Sequence, residues 1–155
     1  MERESDAALF DVGDDTALVC VDQDQYQKAV VPQLIDMNYK VNVALHEEDV
    51  LLKLRAYSYH AIVIYENFKG STLANNPVLK ELGQRSGGDR REHFVLLLTH
   101  RFATNDLLSA FALSVDQIVN IADLANLKPV LRRGVAQHRE MYHSFHSTLK
   151  TSRAM

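Results

Sequence analysis

This chain has one cysteine in 155 residues, no apolar run near the ~20 residues of a bilayer crossing, and no basic head followed by an apolar stretch at its start. The scarcity of cysteine excludes disulfide frameworks and zinc ribbons. Cys20 itself lies inside the apolar run ALVCV (17–21), where an inert buried thiol is expected rather than a nucleophile or ligand. The other two absences predict a cytoplasmic protein with no membrane association, and MERESDAALFDVGDD (1–15) reads as an acidic lead-in rather than a leader. Internal repeats and low-complexity tracts are missing as well. What is present, 46% apolar and 24% charged residues, is the composition of a globular domain. At this length one domain hides roughly 68–70% of its unfolded surface, enough for a real core.

Charge is uneven along the chain. Glu2, Glu4, Asp6, Asp11, Asp14, Asp15, Asp22 and Asp24 crowd the first 24 residues against Arg3 alone. Near the other end, Lys128, Arg132, Arg133, Arg139, Lys150 and Arg153 face only Glu140. Such asymmetry fits either a basic partner surface or a solvated helix face. A net charge of −3 and the small number of bases argue against nucleic acid.

Two periods alternate. ALVCV (17–21), KVNVAL (40–45), AIVIY (61–65), FVLLL (94–98) and QIVNI (117–121) are short and rich in Val, Ile and Leu, as strands are. Three of them are continuously apolar, the mark of strands covered on both faces. Helical periods fill the intervals at 26–37, 47–57, 76–85 and 104–113, with a long last one from about Asn126 to Lys150. Strand then helix, five times, predicts an α/β protein with a parallel sheet. The size fits a flavodoxin-like (βα)5 three-layer sandwich of strand order 2-1-3-4-5. Asn75 or Asn76 is expected to cap the third helix ahead of Pro77, and Thr104 the fourth, with Asp106 in its first turn. Pro32 is expected to bend the first helix. The glycine-rich loop RSGGDRRE (85–92) is too short for a linker, and ALF (8–10) offers an apolar anchor. The expected division is a lead-in at 1–15, a compact unit at 16–137 and a helical extension at 138–155.

Chemistry in such sheets gathers at the carboxyl ends of the strands. Those ends carry Asp22, Gln23 and Asp24, then Tyr65, Glu66 and Asn67, then Thr99 and His100, and last Asn120.

Five units, with VDQD closing the first strand, a polar break closing the third and LLLTH closing the fourth, resemble a response-regulator receiver domain over residues 16–137. The resemblance implies an acidic pair for magnesium after the first strand and a phosphate-accepting aspartate at the third. It also implies a hydroxyl residue contacting the phosphoryl at the fourth and a lysine pairing with it at the fifth. By position Asp22 matches the first acid and Thr99 the hydroxyl. Gln23 replaces the second acid, Tyr65 the acceptor and Asn120 the lysine, with Ile121 where proline follows; Asn67 lies where a backbone carbonyl meets the metal.

Transfer to a carboxylate needs an ionised oxygen and a divalent cation to offset charge. A phenol with a pKa near ~10 is protonated at neutral pH. Magnesium wants several hard oxygen ligands, and Asp22 is one well-placed carboxylate, with Asp24 a candidate second. Alternation aims Glu66 to the side opposite Tyr65. Tyr65 is therefore expected to plug the pocket, its hydroxyl reaching Asp22, Thr99 or Asn120. An ordinary buried tyrosine and a phosphorylated one are the other readings.

In the last helix Leu124, Leu127, Leu131, Val135, His138, Tyr142, Phe145 and Leu149 recur at steps of three or four. Asn126 is a candidate cap, and Pro129 falls early enough to be tolerated. The sheet is too short to cover this helix, so Met141, Tyr142, Phe145 and Leu149 need a partner, by homodimerisation or by folding back. Gly134 weakens the helix between its two halves and permits a bend or a close helix approach. His143 and His146, with Glu140, have a spacing that metal sites use, but solvated roles fit as well.

The expected function is a phosphorylation-independent, receiver-like regulatory module acting through another signalling protein and as a homodimer, with no catalysis, cofactor or metal. The alternative is a small-ligand or nucleotide-binding protein of the same architecture, although no loop after a strand carries a glycine-rich phosphate cradle.

Overall fold

Val, Ile and Leu runs build the centre of the molecule. The computed structural model describes residues 14–84 and 93–154, with side chains through Met141 in the last helix. Strands β1 (Asp15–Cys20), β2 (Tyr39–Val43), β3 (Ala61–Tyr65), β4 (Phe94–Thr99) and β5 (Gln117–Asn120) form one parallel sheet of order 2-1-3-4-5. Helices α1 (Asp24–Asp36), α2 (Glu47–Ala56), α3 (Pro77–Gly83), α4 (Leu107–Leu113) and α5 (Leu127–Ala154) connect and follow them. The expected fold class is therefore observed. The lead-in with ALF (8–10) and the 85–92 loop lie outside the described residues.

Alternation divides the strands between two cores. Ala17, Val19, Val63, Leu96, Leu98 and Val119 meet Val30 and Leu34 of α1 and Leu127 and Leu131 of α5. Leu18, Ile62, Ile64, Val95, Leu97 and Ile118 meet Val50 and Leu54 of α2, Val78 and Leu82 of α3 and Ala110 of α4. Strands β1, β3 and β4 are buried along both faces, which is why they read as unbroken apolar runs.

Caps explain the helix starts. Asn76 Oδ1 accepts from the amides of Val78 and Leu79, with Pro77 following at the first position of α3. For α4 the expected cap is corrected. Asp106, not Thr104, accepts from Ser109 N at 3.1 Å, and this bond holds its carboxyl below the usual range. Thr104 instead accepts from Asn120 N and donates to Asp123. A 3-10 turn, Ile121–Asn126, precedes α5, so the helix begins one residue after Asn126, with Pro129 in its first turn.

Tyr59 is the bulkiest fully buried side chain together with Phe68, and its hydroxyl accepts from Asn42 Nδ2 at 2.7 Å. Burial pushes its pKa up to about 12. Burial also raises Tyr39 and Tyr65. A phenol raised in the folded state leaves stability whole below the unfolded pKa and removes it as pH climbs through the folded one. Stability is thus expected to fall by on the order of 2 kcal/mol across the window from the ordinary tyrosine pKa to that of Tyr59. Denaturant titrations over that range check this; Tyr59→Phe is expected to flatten the decline.

Candidate functional site

The strand ends place two constellations above the sheet, joined at His100. One faces α1. Tyr65, the last residue of β3, is 6% exposed and keeps the parity of Ala61 and Val63. Its hydroxyl is hydrogen-bonded to His100 Nε2 at 2.9 Å. Its ring meets Tyr26 of α1 edge to face at 5.3 Å and His100 at 5.8 Å. Desolvation, the neighbouring Tyr26 and the charges of Glu66 and Asp22 raise its pKa, so the phenol stays protonated. The expected partner of the Tyr65 hydroxyl is corrected: it reaches His100, and not Asp22, Thr99 or Asn120.

The second constellation lies on the opposite parity and is built around Glu66. This carboxylate is 3% exposed. Oε1 accepts from Thr99 Oγ1 at 2.7 Å and Oε2 from His100 N at 2.9 Å. Thr99 Oγ1 also accepts from Arg101 N at 3.0 Å. The backbone below is fastened too: Asn76 Nδ2 donates to the carbonyls of Tyr65 and Glu66, and Ser71 Oγ to that of Glu66. Alternation does send Glu66 away from Tyr65, as expected, yet that side is where Thr99 stands.

The remaining positions are dispersed. Asp22 Oδ2 accepts from Lys69 N at 3.1 Å, while Oδ1 is buried with no hydrogen-bond partner among the described residues. Lys69 adopts a left-handed conformation, φ 54°, to present that amide. Gln23 precedes α1 and makes no side-chain cap. Asp24 turns outward to Lys28 at 2.9 Å, both side chains 77% exposed, so it supplies no second carboxylate to Asp22. Asn67 Nδ2 donates to Ser71 O. Asn120 accepts from Ala122 N and donates to Phe102 O, a local role that ties the loop after β4 to β5. No group of three or more His, Cys, Asp or Glu suited to a metal occurs among the described residues.

The last helix is continuous through Ala154, so it extends rather than folds back. Met141 is exposed; Tyr142, His143, Phe145, His146 and Leu149 have side chains outside the described residues. Of the two expectations for Gly134, a bend or a close approach, the close approach is observed, and it is to the sheet. The residue lies inside α5 over Gln117 of β5, where a Cβ would stand 2.6 Å from Gln117 Oε1. No described helix is long and apolar enough to cross a membrane.

No family model matches the chain, and no curated protein does. Solved structures do. The chemotaxis response regulator CheY4 of Vibrio cholerae is 18% identical at a TM-score of 0.61, with 77% of this chain and 98% of that one covered. A CheY-like response-regulator receiver domain from Methylobacillus flagellatus is 21% identical at 0.55, with the same coverages of 77% and 98%. A fusion carrying the trimeric coiled coil of yeast Spc42 is 16% identical at 0.64, covering 94% of this chain and 93% of that one. At these identities the likeness is one of fold, and the fold is that of CheY-like receiver domains.

Proposed function

We propose that the chain is a receiver-like regulatory module that works without phosphorylation, through contact with another signalling protein, and that it self-associates through the end of α5. The observation that carries this reading is the buried Glu66 carboxylate. In the family resembled, a hydroxyl at the position of Thr99 contacts the phosphoryl group. Here that hydroxyl and the adjoining amide of His100 already bind an anion belonging to the chain. An incoming phosphoryl group meets Glu66 and Asp22 as like charges, with asparagine where the family's lysine would offset them.

Tyr65, held protonated, is a poor nucleophile, and Asp22 alone is a poor magnesium site. The module carries out no catalysis, takes no cofactor, and acts in the cytoplasm. The helical run of α5 through Ala154 and the trimeric coiled coil in one structural neighbour support self-association. Incubation with acetyl phosphate and Mg²⁺ is expected to leave the intact mass unchanged. Beryllofluoride with Mg²⁺ is expected to leave the amide resonances of Thr99 and His100 in place. A covalent phosphate adduct, or shifts confined to those amides, overturns the reading.

A further inference from the structure

Asp15 and Tyr39, the first residues of β1 and β2, border a cavity of about 340 Å³ at the end of the sheet opposite Tyr65 and Glu66. The end of α1 lines it too, and α5 contributes Arg132, Val135, Ala136 and Arg139. Steps of three and four put those four residues on one helix face. The volume falls within the roughly 300–1,000 Å³ of small-molecule sites.

Two polar groups of this cavity make no hydrogen bond or ion pair among the described residues. The first is the Tyr39 hydroxyl. Its side chain is 6% exposed and belongs to the core beneath α1 and α5, yet the phenol is unpartnered, and the charges that act on it are those of Arg139 and Asp15 in the cavity lining. Burial raises its pKa against the pull of Arg139, so it stands ready as a donor. So deeply buried a hydroxyl is ordinarily bonded. The second is the guanidinium of Arg132, an exposed side chain with no carboxylate paired to it. Asp36 is taken by Lys128 at 2.9 Å, and Asp15 lies 3.9 Å from Arg139.

Charge decides which ligand fits. Asp36 with Lys128, and Asp15 with Arg139, each sum to zero, which leaves the positive charge of Arg132 unmatched. The carbonyl end of α1 adds a negative pole beside it. A phosphate dianion brings more charge than Arg132 offsets, whereas a single carboxylate matches it and suits the guanidinium fork. Met37, Val135 and Ala136 supply apolar contact for the rest of the molecule. We infer that the cavity binds a small monocarboxylic acid with an apolar body, its carboxylate held by Arg132 and the Tyr39 hydroxyl. The site gives the module a chemical input at the opposite end of the sheet from Glu66, and it stands whether or not phosphorylation independence does.

Titration of the full chain with sodium benzoate, followed by proton–nitrogen correlation spectra, tests this. Benzoate is expected to shift the amides of Asn38, Tyr39 and Arg132 to saturation and to leave those of Thr99 and His100 in place. Benzamide, its neutral counterpart in shape, and inorganic phosphate are expected to move none of these amides at the same concentrations. Arg132→Gln, at an exposed position that leaves the thermal midpoint unchanged, is expected to weaken benzoate binding about 30-fold. Tyr39→Phe keeps the buried ring and is expected to weaken it about 10-fold. Arg133→Gln removes the same charge one residue away, outside the lining, and is expected to leave the affinity unchanged. Shifts that do not saturate, benzamide binding as well as benzoate, or an equal loss in both arginine variants overturn the site. Phosphate binding as well as benzoate overturns the assignment to a carboxylate.

Discussion

Glu66→Ala is expected to lower the free energy of unfolding by roughly 4 kcal/mol, which for a chain of this size moves the thermal midpoint down by about 8–16 °C. Hydrogen bonds to a charged acceptor contribute about 1.5–3 kcal/mol each, and Glu66 accepts two. Alanine also strands their donors: the Thr99 side chain is fully buried, and the His100 amide loses its acceptor. Glu66→Gln keeps the shape and one acceptor oxygen, and is expected to cost about half as much. Hydrogen exchange separates this local clamp from general loosening. In the alanine variant the His100 and Arg101 amides are expected to exchange faster, since Arg101 N depends on the Thr99 hydroxyl. The amides of Asn105 and Asp116, bonded to Ile118 O and Val95 O, are expected to keep their protection. An alanine variant within about 1 kcal/mol of the parent would remove Glu66 from its central place.

Why Glu66 escaped a reading of the sequence is a matter of parity between strands. Alternation alone sets it opposite Tyr65, and the site was expected on the side of Tyr65. The register pairs Tyr65 with Leu98. The next residues, Glu66 and Thr99, therefore step together onto the other side. Nothing within one strand reveals that pairing; it requires knowing how β3 lies against β4. The burial of Tyr65 was legible because it follows from the apolar run before it. Its partner was not, since His100 lies just past the end of β4, where side-chain direction no longer follows the pleat. Asp24 illustrates the same boundary. One step into α1, it finds Lys28 a turn away on the helix surface instead of Asp22.

The fold itself was legible because the apolar runs are short, nearly continuous and separated by helical periods, a combination that leaves few arrangements open. Strand β3 matches the expected span, β4 and β5 differ from theirs by one residue at one end, and β1 and β2 by one or two residues at both ends. Start of α4 was harder to read. Thr104 and Asp106 are both competent caps, and the choice was made by β5, whose Asn120 amide draws the Thr104 hydroxyl into the loop. Residue 138 marks no break in α5: the helix that covers the sheet and the one that leaves it are continuous.

Gly134→Ala is expected to destabilise the protein by about 3 kcal/mol, although alanine improves an isolated helix by about 1 kcal/mol over glycine. The sign is decided by Gln117. Its side chain is 7% exposed, and Nε2 donates to Asn105 Oδ1 at 2.9 Å and to Val130 O at 3.0 Å, the latter on α5 itself. A Cβ at position 134 would stand 2.6 Å from Oε1 and 2.8 Å from both Cδ and Nε2. The amide must leave, losing both bonds, or α5 must lift from β5; either costs more than the gain in propensity. Gln117→Ala removes the obstacle and with it the penalty for a methyl group at 134. Double-mutant analysis by denaturant titration should therefore give a coupling of about 4 kcal/mol, with Gln117→Ala/Gly134→Ala more stable than Gly134→Ala alone. Additive effects would mean that the glycine is set by the helix and not by the glutamine beneath it.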